Sequence, residues 1–161
     1  ELNNVNDGKW IELGLSFDRP YAYEEVVSML PKDVTLQWNW VNTFSEEEIK
    51  SFNSEQAEYT DAILQEHVVA GFPSILKDGT TIKEPVNSFI TTLDLARSKG
   101  GSYKEEYEYI YNTLKNNKNS LTHENIKIIG VVVVGDKQQL ISLINQHYIK
   151  ASSFGAIIDK Y

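Results

Sequence analysis

The chain states one plan twice, and that repeat constrains the fold more than any other feature. Gly14 lies in the run Leu-Gly-Leu-Ser-Phe (13–17), followed by Tyr23, Val26, Val27 and Leu30 at helical spacing and then by a strand-like run, 34–41. Gly130 lies in Ile-Gly-Val-Val-Val (129–133), followed by Leu140, Leu143, Ile144 and His147 at helical spacing and then by a second strand-like run, 149–158. Two such strand–helix–strand units predict an α+β fold, a ferredoxin-like split βαβ sheet, with 45–120 as a large, mainly helical insertion between the halves. The halves are then 9–44 and 121–161 of a single domain, with the polar, Asn-rich residues 1–8 as a linker or tail. Enzymes, sensors and binding modules share this scaffold, so function has to come from particular residues.

Alternation puts Ile11, Leu13, Leu15 and Phe17 on one face of the first strand, expected over 9–17 until Arg19-Pro20 ends it. The first helix, about 22–30, stops at Pro31. In the second strand Val34, Leu36, Trp38 and Trp40 share a face, with Thr35, Gln37 and Asn39 opposite. Tryptophans at i and i+2 suit a ligand platform, but the alternation continues the apolar face that packs on the helices and assigns both rings to the core.

Ser45-Glu46-Glu47-Glu48 has capping-box spacing and starts a helix. Gly71-Phe72-Pro73 breaks the helical region, and 75–82 reads as a short hairpin around Asp78-Gly79. Pro85 opens a helix with the stripe Val86, Phe89, Ile90, Leu93. Ser102 with Glu105 caps another, whose stripe is Tyr103, Tyr107, Ile110, Tyr111, Leu114. The third repeat strand, about 126–134, is apolar on both faces, which predicts a sheet centre and assigns helices of 45–120 to the second face. Asp136 with Gln139 caps the last helix. Strands two and four are the expected edges, where Lys150 discourages pairing between chains.

Chemistry is sparse. There is no cysteine, so disulfides, thiolate metal sites and cysteine nucleophiles are excluded. A net charge of −8, carried by residues 1–120, argues against a nucleic-acid partner, which needs a clustered basic surface. His67, His123 and His147 fall in different elements, and His147 is expected half-buried on the inner stripe of the last helix; no metal and no cofactor are expected. Gly130 to Gly135 encloses a strand rather than the turn that a phosphate loop requires. An acylphosphatase would place an arginine in a glycine-rich loop after the first strand; Asp18-Arg19-Pro20 offers an acid beside the arginine and no glycine cradle. No catalytic residues are assigned.

Three stretches carry a family resemblance. The first is Leu-Ser-Phe-Asp-Arg-Pro-Tyr (15–21) leading to Met-Leu-Pro-Lys-Asp-Val (29–34) and Trp-Asn-Trp-Val-Asn-Thr (38–43); the second is Ala-Gly-Phe-Pro (70–73). The third is Gly-Val-Val-Val-Val-Gly (130–135) with the closing segment 148–161. In these the chain resembles the C-terminal domain of the sigma-factor regulators of Gram-positive bacteria, membrane-anchored proteins of the anti-sigma-factor type. The resemblance spans about 9–161 and implies a non-enzymatic sensory or protein-interaction domain on the extracytoplasmic face of the cell membrane. It implies an alternative sigma factor as partner, bound through a cytoplasmic segment upstream of Glu1 and joined by a single membrane helix, with an unidentified external signal or protein as the other partner. A start at Glu1 agrees with a fragment of such a protein. The alternative is a free-standing secreted or lipid-anchored binding module, and the third reading is an acylphosphatase-like hydrolase.

Two partner-binding residues are expected. Tyr109 departs from the inner stripe of its tyrosine-rich helix and should be exposed, a placement that suits an interface. Lys160, in the closing Asp159-Lys160-Tyr161, is the other, although it equally suits a local ion pair capping the strand edge.

Overall fold

The computed structural model describes residues 2–45, 70–99, 101 and 103–160. The helix expected from Glu46-Glu47-Glu48 onward, the cap at Ser102, and His67 lie outside them.

Five strands form one sheet: β1 (Lys9–Tyr21), β2 (Thr35–Val41), β3 (Gly71–Pro73), β4 (Ile128–Gly135) and β5 (Ile149–Asp159). Their order is β3-β2-β4-β1-β5, and every neighbouring pair is antiparallel. Helix α1 (Tyr23–Met29) joins β1 to β2, and α4 (Lys137–Ile141) joins β4 to β5. Each connection skips one strand and ends in a strand parallel to the one it left, so the repeat seen in the sequence is a repeat of crossovers. The insertion contributes β3, then α2 (Pro85–Lys99) and α3 (Lys104–Lys115).

Strand alternation gives the sheet one covered face. Ile11, Leu13, Leu15 and Phe17 are buried there, and the register sets Leu13 against Val133 and Leu15 against Val131, both fully buried. Each such side chain contributes roughly 1.5–3 kcal/mol by leaving water. Leu140 of α4 and Val26 of α1 complete this layer, and Tyr148 donates to the Met29 carbonyl at 2.9 Å, tying the two crossovers together over Phe17.

Of the helices expected to cover the second face, α2 and α3 do not; the one expected from Ser45 onward lies outside the described residues. Phe72 of β3 pairs opposite Asn39, which pairs with Val131, so Phe72 belongs to the covered face; its ring meets Tyr23 of α1 and, at 5.2 Å, Phe89 of α2. Thus α2 extends the helical layer beside α1, and α3 packs on α2 with the Arg97 guanidinium 4.1 Å from the Tyr111 ring centre. The β4 residues Val132 and Val134 on the other face remain half-buried.

Other differences are local. β1 runs on through Arg19-Pro20 to Tyr21, across an irregularity after Ser16 that absorbs the proline. The segment 71–73, read as a breaker, pairs with β2 and takes the edge expected for the second strand; three residues with Gly and Pro carry no period to detect. Val27 is 49 % exposed because α1 ends at Met29 and presents a narrow apolar stripe. Tyr103 precedes α3 instead of joining its stripe and is exposed, whereas Tyr111 and Leu114 are buried. The last helix ends at Ile141, followed by tight turns to Asn145, whose φ of 62° lies in the left-handed region; Ile144 and His147 are exposed as a result. In residues 1–8, Leu2 is buried, and the Lys137 ammonium donates to the Asn3 and Val5 carbonyls at 2.8 and 2.9 Å.

The hairpin around Asp78-Gly79, the stripe of α2 and the reciprocal Asp136–Gln139 cap all form as the spacing predicts.

Candidate binding face

The face of the sheet that the described helices leave uncovered carries all three tryptophans of the chain. In β2 the expected face holds for Leu36, which stands opposite the buried Val133, but an irregularity between Leu36 and Trp38 inverts the alternation beyond it: Asn39 is the buried residue, and Trp38 and Trp40 point away from the described helices. Asn39 is held by its amide, which donates to the Ser74 hydroxyl at 2.8 Å and the Phe72 carbonyl at 3.2 Å. These bonds meet part of the cost of burying an amide. Trp38 is 36 % exposed and Trp10, at the far end of β1, 40 %.

Glycine makes this arrangement possible. Trp40 stands opposite Gly130, which stands opposite Ser16; Trp38 stands opposite Val132, which stands opposite Gly14. A Cβ at Gly130 would lie 2.9 Å from Trp40 Cε3 and 2.5 Å from the Leu15 carbonyl oxygen, and one at Gly14 would lie 3.3 Å from Trp40 Cη2. The Trp40 indole therefore reaches across β4 and β1, over the two glycines that mark the sequence repeat. Trp38 lies in the same way over Gly71, and the Glu12 carboxylate lies over Gly155. Two indoles and one carboxylate are thus laid onto a glycine floor, each with its outer side turned from the sheet.

At the end of the strip near Trp10, Lys160 places its ammonium 4.3 Å from the Trp10 ring centre and donates to Asp136 at 2.8 Å. Its backbone N–H donates to the Gly8 carbonyl. Hydrogen bonding from Lys160, and next from the Gln139 amide, holds the Asp136 carboxyl below the usual carboxylate range. Lys160 is therefore the local clamp that the sequence allowed for. Tyr109 is exposed on α3, remote in the fold from this strip.

No catalytic geometry converges elsewhere among the described residues. Arg19 stacks on Tyr21 at 4.1 Å, and Tyr21 donates to Asp18 at 2.7 Å, a bond that raises the pKa of its hydroxyl. Asp18 and Arg19 are thus engaged with one aromatic side chain in a strand. His123 meets Glu24 at 3.1 Å and His147 packs edge-on against Tyr148. Among the described residues no cluster of His, Cys, Asp and Glu is arranged to hold a metal ion, and no helix is long and apolar enough to cross a membrane.

Sequence reasoning raised the tryptophan pair and then assigned it to the core. The signal that separates the two placements is the company of glycines: Gly14, Gly71 and Gly130 fall where a flat ring needs a floor.

No curated protein and no solved structure gives a significant match. A family profile does, over residues 2–156, and it describes the C-terminal region of sigma factor regulators. With nearly the whole domain inside that match, the chain belongs to the sigma factor regulator C-terminal family, which ties it to the control of a sigma factor.

Proposed function

We propose that this domain is the non-enzymatic sensory part of a membrane-anchored anti-sigma factor. It sits on the extracytoplasmic side and controls release of an alternative sigma factor held by a cytoplasmic segment of the same protein. We read its scaffold as ferredoxin-like: the order β2-β4-β1-β5 with crossovers α1 and α4 supports a split βαβ sheet to which β3, α2 and α3 are added.

The observation that carries the sensory reading is the tryptophan strip. Burying Trp38 and Trp40 under the helices would stabilise the fold; leaving them on a glycine floor facing away from the helices costs that burial and creates a recognition surface. An acylphosphatase-like enzyme would instead need a glycine cradle beside its arginine, and Arg19 stands between Asp18 and Pro20 with its guanidinium on the Tyr21 ring.

The test is a reporter driven by the cognate sigma factor, in cells whose regulator carries Trp38→Ala with Trp40→Ala. The altered regulator is expected to accumulate normally and to lose its response to the inducing condition. A wild-type response would overturn the sensory role of this face.

A further inference from the structure

We propose that the open face binds an amino-sugar chain, a glycan with free amines, whose pyranose faces stack on Trp38 and Trp40 and whose ammonium pairs with Glu12. The inference takes from the function proposed above only that the domain faces outward; the rest comes from the geometry of the strip.

Two indoles laid over glycines are backed by the sheet on one side and turn aromatic surface away from the described helices on the other. A cation recognised by rings alone is better served by aromatic side chains on several sides of it. Rings backed by the sheet match a ligand that is itself apolar on one side, and a pyranose ring has such a face of C–H groups, with its hydroxyls at the rim. Ser16 and Ser153 flank Gly14 on this face and supply hydroxyls at the edge of the Trp40 ring.

Charge selects among glycans. Glu12 stands two residues from Gly14 on the same side of β1, about 7 Å along the strand. Its carboxylate is half-buried over Gly155 and makes no hydrogen bond or ion pair among the described residues. A carboxylate that the described residues leave unpaired, beside an aromatic face, is complementary to an ammonium. The chain already contains that combination at the other end of the strip, where the Lys160 ammonium sits on Trp10 with Asp136 as its counter-charge. The net charge of −8 favours the same sign of ligand and opposes phosphate-rich polymers.

The test titrates the 161-residue chain with a glucosamine hexamer, an N-acetylglucosamine hexamer and hexalysine, by tryptophan fluorescence and calorimetry. The glucosamine hexamer is expected to bind at least about tenfold tighter than either of the others. Trp40→Ala should weaken it by about tenfold or more, and Glu12→Gln should remove the preference for the free amine. Trp38→Ala, where the ring lies over Gly71 of the edge strand, guards against a folding defect in the Trp40 variant and should weaken binding as well. No binding, equal binding of the acetylated hexamer, equal binding of hexalysine, or wild-type affinity in both tryptophan variants would overturn the proposal. Such a failure would leave the regulator reading standing, since that reading is tested by the reporter and not by this ligand.

Discussion

The two faces of the sheet solve opposite problems with the same alternation. On the covered face large aliphatic residues meet across strands, Leu13 with Val133 and Leu15 with Val131, and every one is buried under α1 and α4. On the open face the partners are unequal, glycine beneath indole, and the apolar surface is laid flat with its outer side turned from the sheet. One face is arranged to remove area from water, the other to hold aromatic rings in fixed orientation without burying them under a helix. A fold optimised for stability alone would have no use for the second arrangement.

The sharpest way to break this contrast is to compare matched truncations. Leu15→Ala should cost about 2–5 kcal/mol in chemical denaturation, because it leaves a cavity in the covered layer. Gly130→Val should cost about 1–3 kcal/mol, since its side chain would displace the Trp40 ring and press on the Leu15 carbonyl. A shift in the Trp40 emission band should accompany that loss. Trp40→Ala should cost less than Leu15→Ala, about 1–2 kcal/mol, despite removing the larger side chain, because that side chain is only partly buried. Equal costs at Trp40 and Leu15 would mean that both faces are core.

The smallest effect lies at the clamp. Asp136 has a lowered pKa in the fold, so its contribution is complete above the unfolded carboxylate value of about 3.9 and is lost as pH falls through the lowered folded value. Lys160→Ala removes the first cause of that lowering. Thermal melts of the variant and the wild type should therefore differ at neutral pH and converge in acid. A difference that persists unchanged in acid would place the role of Lys160 elsewhere.

Much of the covered face was legible from sequence, because a period of two in Ile11, Leu13, Leu15, Phe17 and a helical period in Val86, Phe89, Leu93 both report burial against one layer. The other face was not, for a physical reason: Val34, Leu36, Trp38 and Trp40 read as one stripe, and a strict period of two cannot show the irregularity after Leu36 that turns both tryptophans to the opposite face. The inverted parity is held by tertiary contacts, since Asn39 finds Ser74 and Phe72 as partners only once β3 pairs with β2. The short strand β3 had no pattern of its own to announce that. Gly14 and Gly130 were visible as markers of the repeat, but their shared role as the floor of Trp40 appears only when β1 and β4 are set side by side. Lys160 could be read both ways from the sequence, and it does form the local ion pair, with Asp136.

The most direct test of the two-face account is collisional quenching of the native chain's tryptophan emission by acrylamide. All three tryptophans lie on the face turned from the helices, so the emission should be shifted to the red of a buried indole and should quench readily, with a core tyrosine such as Tyr148 unaffected until the chain unfolds. A blue, poorly quenched emission that becomes accessible only on unfolding would contradict the account and return Trp38 and Trp40 to the core.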